Sequence, residues 1–196
     1  MKHMHETLNG SFLNRNVPQE VINRAQKGSS DDIGWLYSCY HQNIYRYLYY
    51  RTGDMQIAED LTANVFLKMI QALHAYRIES TPFIAWLFQI ARNVAIDHYR
   101  RNAAHPAVQL SEILVDPLPE PSDLAELHLE SEDLAQAISR LEDTQRDVLI
   151  LRFIEAVPIT ETAIILHKTE DAVKALQRRG LHHLRIMLNH REHDHG

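Results

Sequence analysis

A polar, aromatic and basic cluster closes an otherwise apolar stretch, FIAWLFQIARNVAIDHYRR, between Phe83 and Arg101. Asn93 follows Arg92 directly, and Tyr99 precedes two further arginines. An aromatic face combined with positive charge is typical of surfaces that bind single-stranded nucleic acid, because bases stack on rings and phosphates pair with cations. A solvated helix end whose cations stabilise the C-terminal dipole is the alternative. These residues leave both interpretations open.

A second candidate site is the segment TETAIILHKTEDAVKALQRR, residues 160–179. Its pattern predicts two helices joined by a tight turn, with small Ala163 where the helices cross, Leu166 between them and Thr169 as the N-cap of the second helix. The turn often holds Gly, and His167 in its place is expected to adopt a left-handed conformation. The segment therefore has the anatomy of a helix-turn-helix.

The second helix of this segment turns Val173 inward, and its other side is polar. Helix N-termini and basic side chains suit phosphates, while Gln and Arg can contact base edges in a major groove. A two-helix corner with a solvated charged face is the alternative. The candidate DNA-binding residues are Lys168, Lys174, Gln177, Arg178 and Arg179.

Enzymatic and metal chemistry find no support in the sequence. Thirteen histidines occur, several of them near the two termini, but no HExxH, CxxC or comparable ligand spacing is present. There is also no Gly-rich phosphate loop and no GxSxG. We therefore predict no catalytic residue, no cofactor and no specific metal site. Cys39 is the single cysteine, so no internal disulfide can form, which fits a reducing compartment.

Length and hydropathy favour a globular protein. The chain has 196 residues, of which 45% are hydrophobic and 23% charged, as in one medium domain or two small ones. No run of eighteen apolar residues occurs, and the N-terminal MKHMHETLNG lacks the apolar core of a signal peptide. We expect a cytoplasmic protein without membrane insertion.

Charge and proline divide the chain in the middle. The net charge of −6 argues against a protein that coats nucleic acid by bulk attraction. Residues 103–135 hold eight acidic residues and no Lys or Arg, and the alternation of Pro117, Pro119 and Pro121 forbids a continuous helix. The predicted organisation is a disordered head 1–17, a helical domain 18–103, a linker 104–131, a second helical domain 132–189 and a His-rich tail 190–196.

Helical periodicity runs through both halves, and no alternating strand pattern competes with it. In one predicted helix, capped by Asp54, the apolar residues Ala58, Leu61, Val65 and Met69 repeat at spacings of three or four. The prediction is an all-α fold of two small helical domains. The expected helices span 18–28, about 30–52 with Ser30 or Asp31 as cap, 54 onward, 82 onward, about 134–140, 143–154, 160–166 and 169 onward.

Three stretches of the sequence are similar to one known family. They are WLYSCYHQNIYRYLYYRTGDMQIAEDLTANVFLKMIQAL, PFIAWLFQIARNVAIDHYRR and LEDTQRDVLILRFIEAVPITETAIILHKTEDAVKALQRRGLHHL. In this order and spacing they resemble regions 2.1–2.2, 2.3–2.4 and 4 of the extracytoplasmic-function (ECF) sigma factors of bacterial RNA polymerase. Two residues depart from the family pattern, His167 in the turn and Thr162, where an apolar or acidic residue is more usual.

The resemblance implies a region 2 helical bundle and a region 4 helix-turn-helix. Its implied function is promoter-specific transcription initiation, with region 2 recognising and melting the −10 element and region 4 contacting the −35 element. The implied partners are core RNA polymerase, through the clamp helices of its largest subunit and the flap of its second subunit, promoter DNA, and an anti-sigma factor. The alternatives are a stand-alone helix-turn-helix regulator and a metal-responsive adaptor.

The resemblance also assigns residues to each partner. The core-polymerase surface would comprise Asp60, Leu61, Thr62, Val65, Phe66 and Lys68, although its apolar members suit the core equally well. The −10 surface would comprise Tyr76, Arg77, Arg92, Asn93, Asp97, Arg100 and Arg101. The −35 surface would comprise Lys168, Lys174, Gln177, Arg178 and Arg179.

Overall fold

Every regular element is helical in the computed structural model of the protein, which describes residues 17–77, 81–102 and 131–194. The N-terminal half comprises α1 (Gln19–Gln26), α2 (Ser30–Thr52), α3 (Met55–Ala72), a 3₁₀ turn (Leu73–Ala75) and α4 (Phe83–Asn102). The C-terminal half comprises α5 (Ser131–Ser139), α6 (Asp143–Leu149), a π-helical turn (Ile150–Ile154), α7 (Ile159–Leu166) and α8 (Glu170–Asp194). The predicted all-α fold is confirmed.

Local capping chemistry accounts for the junction between α2 and α3. Gly53 takes a left-handed conformation with φ of 71° and ends α2, and the Asp54 side chain accepts a hydrogen bond from the first turn of α3. The predicted cap at Asp54 is confirmed. The start of α2 differs from the prediction, because Ser29, and not Ser30 or Asp31, accepts the capping hydrogen bond.

The apolar face of α4 forms the centre of the N-terminal half. Leu87, Phe88 and Val94 are fully buried against α2 and α3, and the Phe88 ring meets the Tyr47 ring edge-on at 5.4 Å between centroids. Each buried side chain of this size stabilises the fold by roughly 1.5–3 kcal/mol. Trp86 packs against the same core.

The C-terminal half differs from the prediction at three places. Helix α5 begins at Ser131, before the predicted start near Leu134. The predicted helix 143–154 is helical throughout, but its last five residues form a π-helical turn, closed by a hydrogen bond from the Glu155 amide to the Ile150 carbonyl. Helix α8 continues to Asp194, so the predicted tail begins as helix.

The two halves pack on each other. Helix α2 contacts α5 and the π-helical turn, while α4 contacts α7, and one hydrophobic cluster runs through both halves. A Cβ atom at Gly53 would lie 2.9 Å from Ser139 Oγ, so glycine permits the close approach of α2 and α5. The sequence predicted two domains joined by a linker and made no prediction about a contact between them.

Parts of the predicted organisation lie outside the described residues. This applies to the linker 104–131 except Ser131 and to the head 1–17 except Val17, which is buried. Within the described ranges, no helix combines the length and the apolar character that crossing a bilayer requires. The same ranges contain no group of three His, Cys, Asp or Glu side chains arranged to hold a metal ion.

Candidate nucleic-acid interface

The segment 160–179 folds as the predicted helix-turn-helix of α7 and α8. Ala163, Leu166 and Val173 are buried between the helices. The Thr169 side chain accepts a hydrogen bond from the first turn of α8 at 3.2 Å, which confirms the cap. His167 ends α7 with φ of 52° and ψ of 47°, the left-handed conformation expected from its place in the turn.

The outer face of α8 is basic. Its exposed basic residues are Lys174, Arg178 and Arg179, and Lys168 is exposed in the turn just before the helix. Lys174 Nζ lies 3.1 Å from the exposed Asp171 carboxylate. Gln177 is half-buried and accepts a hydrogen bond from an arginine of the π-helical turn at 3.4 Å. The geometry thus brings four of the five predicted −35 residues to one accessible surface.

Helix α8 is held against α6 at a position where no side chain fits easily. A Cβ atom at Gly180 would lie 3.1 Å from Leu149 Cγ, so glycine lets the two helix axes approach. One turn further on, His183 Nδ1 lies 2.8 Å from Gln145 Oε1. Burial, together with the neighbouring His182 and Arg179, lowers the pKa of His183. The exposed basic face therefore belongs to a helix whose opposite face packs closely on α6.

The polar end of α4 presents a second exposed surface. Asn93, Arg100 and Arg101 are exposed. Asp97 lies 3.5 Å from Lys68 Nζ of α3, and its carbonyl oxygen accepts a hydrogen bond from Arg101 Nε at 3.1 Å. Four of the predicted −10 residues therefore share one accessible side of the helix.

Arg92 lies on a different side of α4, which faces the C-terminal half. Its Nε atom donates to Asp147 Oδ2 of α6 at 2.8 Å. Two turns further along, the Tyr99 ring lies beneath the Arg146 guanidinium at 5.6 Å, and its hydroxyl donates to the Arg51 carbonyl at 3.2 Å. The predicted −10 residues are thus divided between a free side and a covered side.

Tyr76 is not placed to stack on a base. Only 5% of it is exposed, its ring centroid lies 4.7 Å from that of Trp86 and 5.4 Å from that of Phe83, and its hydroxyl donates to the Thr81 carbonyl at 2.7 Å. Its apolar ring and its satisfied hydroxyl make it a core residue. The predicted place of Tyr76 on the −10 surface disagrees with this burial, whereas the adjacent Arg77 is exposed.

The predicted core-polymerase surface is mostly interior. Four of its members are buried in the N-terminal core because they fall on the inner face of α3, namely Leu61, Thr62, Val65 and Phe66. Asp60 is exposed and Lys68 is partly exposed. The sequence analysis missed the exposed apolar residues of the same region, Leu67 at 60% exposure, Ile70 at 46% and Tyr37 of α2 at 44%.

A buried polar cluster, which the sequence analysis did not predict, joins the two halves. Asp147 has no exposed surface and accepts hydrogen bonds from the Tyr47 hydroxyl at 2.8 Å, from Arg92 and from the buried Arg51. Burial raises the pKa of Tyr47. Burial and the nearby Arg51 lower the pKa of Arg146 to about 10.

Glu155 forms a second buried contact between the halves. Its Oε2 atom accepts a hydrogen bond from Asn43 at 2.8 Å, and Arg46 donates to both carboxylate oxygens, at 2.6 and 2.9 Å. The hydrogen bonds from Arg46 to Glu155 raise the pKa of Arg46. The available sequence signal for Glu155 was an acidic residue within an apolar run, and Asp147 directly precedes the apolar run VLIL.

Comparison with known proteins decides the family. Sigma-70 region 2 matches residues 36–105, and Sigma-70, region 4 matches residues 137–185. The ECF RNA polymerase sigma factor SigX of Bacillus subtilis is 35% identical over 156 residues, which cover 76% of this chain and 80% of SigX. The chain belongs to the ECF sigma factor family. This sigma factor is therefore a transcription initiation factor that acts with RNA polymerase at promoters.

One further relative and one solved structure are similar to the sigma factor. The ECF RNA polymerase sigma factor BldN of Streptomyces coelicolor is 36% identical over 173 residues, which are 86% of this chain; the chain spans 65% of the length of BldN. The solved sigma factor RpoE of Bartonella quintana, in complex with the anti-sigma factor NepR, has a TM-score of 0.63. It is 19% identical and covers 81% of this chain and 97% of that chain, so it shows the shared fold.

Proposed function

We propose that the N-terminal half of this sigma factor recognises and melts the −10 element, while the C-terminal half contacts the −35 element. The observation that carries the proposal is the pair of exposed polar helix faces, one on α4 and one on α8, in a single chain. Asn93, Arg100 and Arg101 suit a displaced strand, since they offer an amide and two cations to bases and phosphates. Lys174, Arg178 and Arg179 suit the phosphates and base edges of a duplex.

The proposed polymerase surface is the exposed side of α3. Asp60 and Lys68 provide charges there, and Leu67 and Ile70, one turn apart, provide apolar area beside them. Partner interfaces commonly combine an apolar centre with a charged rim. We assign this surface to the clamp helices of the largest subunit, and the C-terminal half to the flap of the second subunit.

The remaining assignments follow from the proposed role. The polymerase supplies the chemistry of RNA synthesis, so the sigma factor needs no catalytic group, cofactor or metal, and it works in the cytoplasm where the polymerase and promoter are. An anti-sigma factor is the proposed regulator. The support for it is the solved complex of RpoE with NepR, which shares the fold.

Run-off transcription tests the proposal. Purified core polymerase is incubated with and without the protein on genomic fragments that include the region upstream of its own gene. We expect specific starts only when the protein is added. Binding to duplex DNA in the absence of core, together with no initiation, would instead indicate a stand-alone helix-turn-helix regulator.

A further inference from the structure

Gln177 lies at the edge of the exposed basic face of α8. It follows Lys174 by one helical turn and directly precedes Arg178 in the chain. These two cations are exposed, whereas Gln177 is half-buried and its side chain contacts Arg152 of the π-helical turn. Gln177 therefore lies where the packed interior of the helix-turn-helix half meets the face that is proposed to contact DNA.

The Arg152 guanidinium determines which way the Gln177 amide points. Its Nε atom donates to Gln177 Oε1 at 3.4 Å, and its Nη1 atom donates to the carbonyl of Val157, just before α7. A guanidinium has donors and no acceptor, so the amide turns its oxygen toward Arg152 and its Nε2 group away. The contact is longer than a typical hydrogen bond of about 2.9 Å, but the reversed amide would bring donor against donor. Arg152 is thus anchored by a backbone carbonyl and orients Gln177.

This orientation decides which hydrogen bonds Gln177 offers to a base. An unconstrained glutamine pairs with adenine through both ends of its amide, because the oxygen accepts from N6 and the nitrogen donates to N7. With Oε1 turned toward Arg152, Gln177 offers the base its two Nε2 hydrogens. Guanine presents two acceptors in the major groove, N7 and O6, whereas adenine presents one acceptor and one donor. A glutamine that acts as a donor therefore favours guanine over adenine.

We propose that Arg152 is a positioning residue that sets the base preference of Gln177 at the −35 element. Arg152 holds Oε1, the Nε2 donors of Gln177 face the major groove, and the pair selects guanine at the base pair that Gln177 contacts. The base preference rests on the proposed −35 role of α8. The contact between Arg152 and Gln177 is a property of the protein alone.

NMR spectra of the side-chain amides test the contact without DNA. The Gln177 amide signal is identified by its absence from the spectrum of the Gln177→Ala variant. Arg152→Met removes the donors and keeps an unbranched stem, and we expect it to shift the Gln177 signal. Arg140→Met makes the same change at the exposed arginine after α5 and should leave that signal in place. An unmoved Gln177 signal in a folded Arg152→Met variant would overturn the contact.

Run-off transcription with core polymerase, from promoters whose −35 bases are randomised, tests the base preference. The position at which Gln177→Ala removes discrimination is the one that Gln177 contacts. There we expect the unmodified chain to favour G over A by at least about fivefold, and Arg152→Met to lower this ratio by at least about fivefold, because Oε1 becomes free for adenine. Arg140→Met should leave the ratio unchanged. Weaker transcription of every promoter by Arg152→Met, with the same G-to-A ratio, would show a merely structural role and overturn the inference.

A double variant distinguishes positioning from direct contact with DNA. In the Gln177→Ala background, Arg152→Met should not change the base preference at that position any further, because no amide is left to orient. A further change would show that Arg152 itself contacts the base, and a Gln177→Ala variant with unaltered preference at every position would show that Gln177 contacts none. Either result would overturn the inference. If the unmodified chain initiates at no promoter, the proposed function fails instead, and the amide spectra still decide whether Arg152 orients Gln177.

Discussion

The Nε atom of Arg92 lies 2.8 Å from Oδ2 of Asp147, although 55 residues separate them in the chain. The pair joins the polar end of α4 to α6, and so it ties a proposed −10 residue to the helix-turn-helix half. A guanidinium that donates to a buried carboxylate forms a strong, directional hydrogen bond.

The exposed arginines of α8 provide a direct test of the −35 surface. Changing Arg178 and Arg179 to Ala should weaken −35-dependent transcription and leave core binding intact. If each arginine contacts a phosphate, the salt dependence of promoter binding should fall by roughly one unit of slope per residue; a base contact would cost about 1–3 kcal/mol. The measurements are run-off transcription and promoter binding at several salt concentrations.

Arg140→Ala is the control for this pair of substitutions. Arg140 is an exposed arginine that directly follows α5 and lies outside α8. Arg140→Ala should change neither −35-dependent transcription nor the salt dependence of promoter binding. Full activity of the double variant at every −35-dependent promoter would show that the outer face of α8 is not the recognition surface.

Two neighbouring residues of α3 should behave differently on truncation. Phe66 is 4% exposed, so Phe66→Ala should lower the free energy of unfolding by about 3–5 kcal/mol. Leu67 is 60% exposed, so Leu67→Ala should change stability by no more than about 0.5 kcal/mol while weakening core-polymerase binding. Urea unfolding and a binding titration with core polymerase measure the two effects.

Combining Leu67→Ala with Asp60→Ala and Ile70→Ala should weaken core binding further, because all three lie on the exposed side of α3. Ala substitution of the exposed Gln42 on α2 serves as the control. If the triple variant folds and its core binding is unchanged, the polymerase-binding surface lies on another part of the protein.

The Arg24–Asp32 pair makes stability depend on acid pH. Arg24 donates to both oxygens of the Asp32 carboxylate, at 2.6 and 2.8 Å, and the Ser29 hydroxyl donates at 2.6 Å. These hydrogen bonds, with that from Arg24 the largest cause, lower the pKa of Asp32 to about 2. Because the folded pKa lies below the unfolded value of about 3.9, the stabilisation is present above about pH 4 and is lost as the pH falls toward 2.

Asp32→Asn should therefore lower Tm at pH 7, and the difference from the unmodified chain should shrink at pH 3. Thermal unfolding followed by circular dichroism at both pH values checks this. Asp31→Asn, at the adjacent exposed position, should show no such pH-dependent difference. A Tm difference for Asp32→Asn that is equal at both pH values would contradict the assigned pairing.

Backbone strain at the helix-turn-helix predicts a stabilising substitution. His167 has φ of 52°, a conformation that is costly for residues with a Cβ atom and free for glycine. His167→Gly should raise the free energy of unfolding by about 0.5–1 kcal/mol. Urea unfolding measures the change, provided that the m-value stays the same.

Ala156 has φ of 53°, so Ala156→Gly should shift stability in the same direction. His74→Gly is the opposite control, because His74 lies in the 3₁₀ turn after α3, where glycine is destabilising. A loss of stability for both His167→Gly and Ala156→Gly would show that the left-handed conformations carry no recoverable strain.

The features that were predicted correctly depend on short sequence distances. The cap at Thr169, the left-handed His167 and the buried Val173 all follow from interactions within a few residues. The apolar repeat in α3 had already placed Leu61 and Val65 inward. Only the family resemblance placed them on the polymerase surface, and their burial removes them from it.

The sequence by itself determined the helices, the caps at Asp54 and Thr169, the helix-turn-helix and the family, because these depend on local periodicity and on motif order. Only the tertiary structure decided that Tyr76 is a core residue, that Leu67 and Ile70 are exposed, and that Asp147 contacts Arg92. The contact between the halves pairs residues 55 to 112 positions apart. Hydrophobic periodicity shows which face of a helix is buried, but the partner of that face depends on how the helices pack in three dimensions.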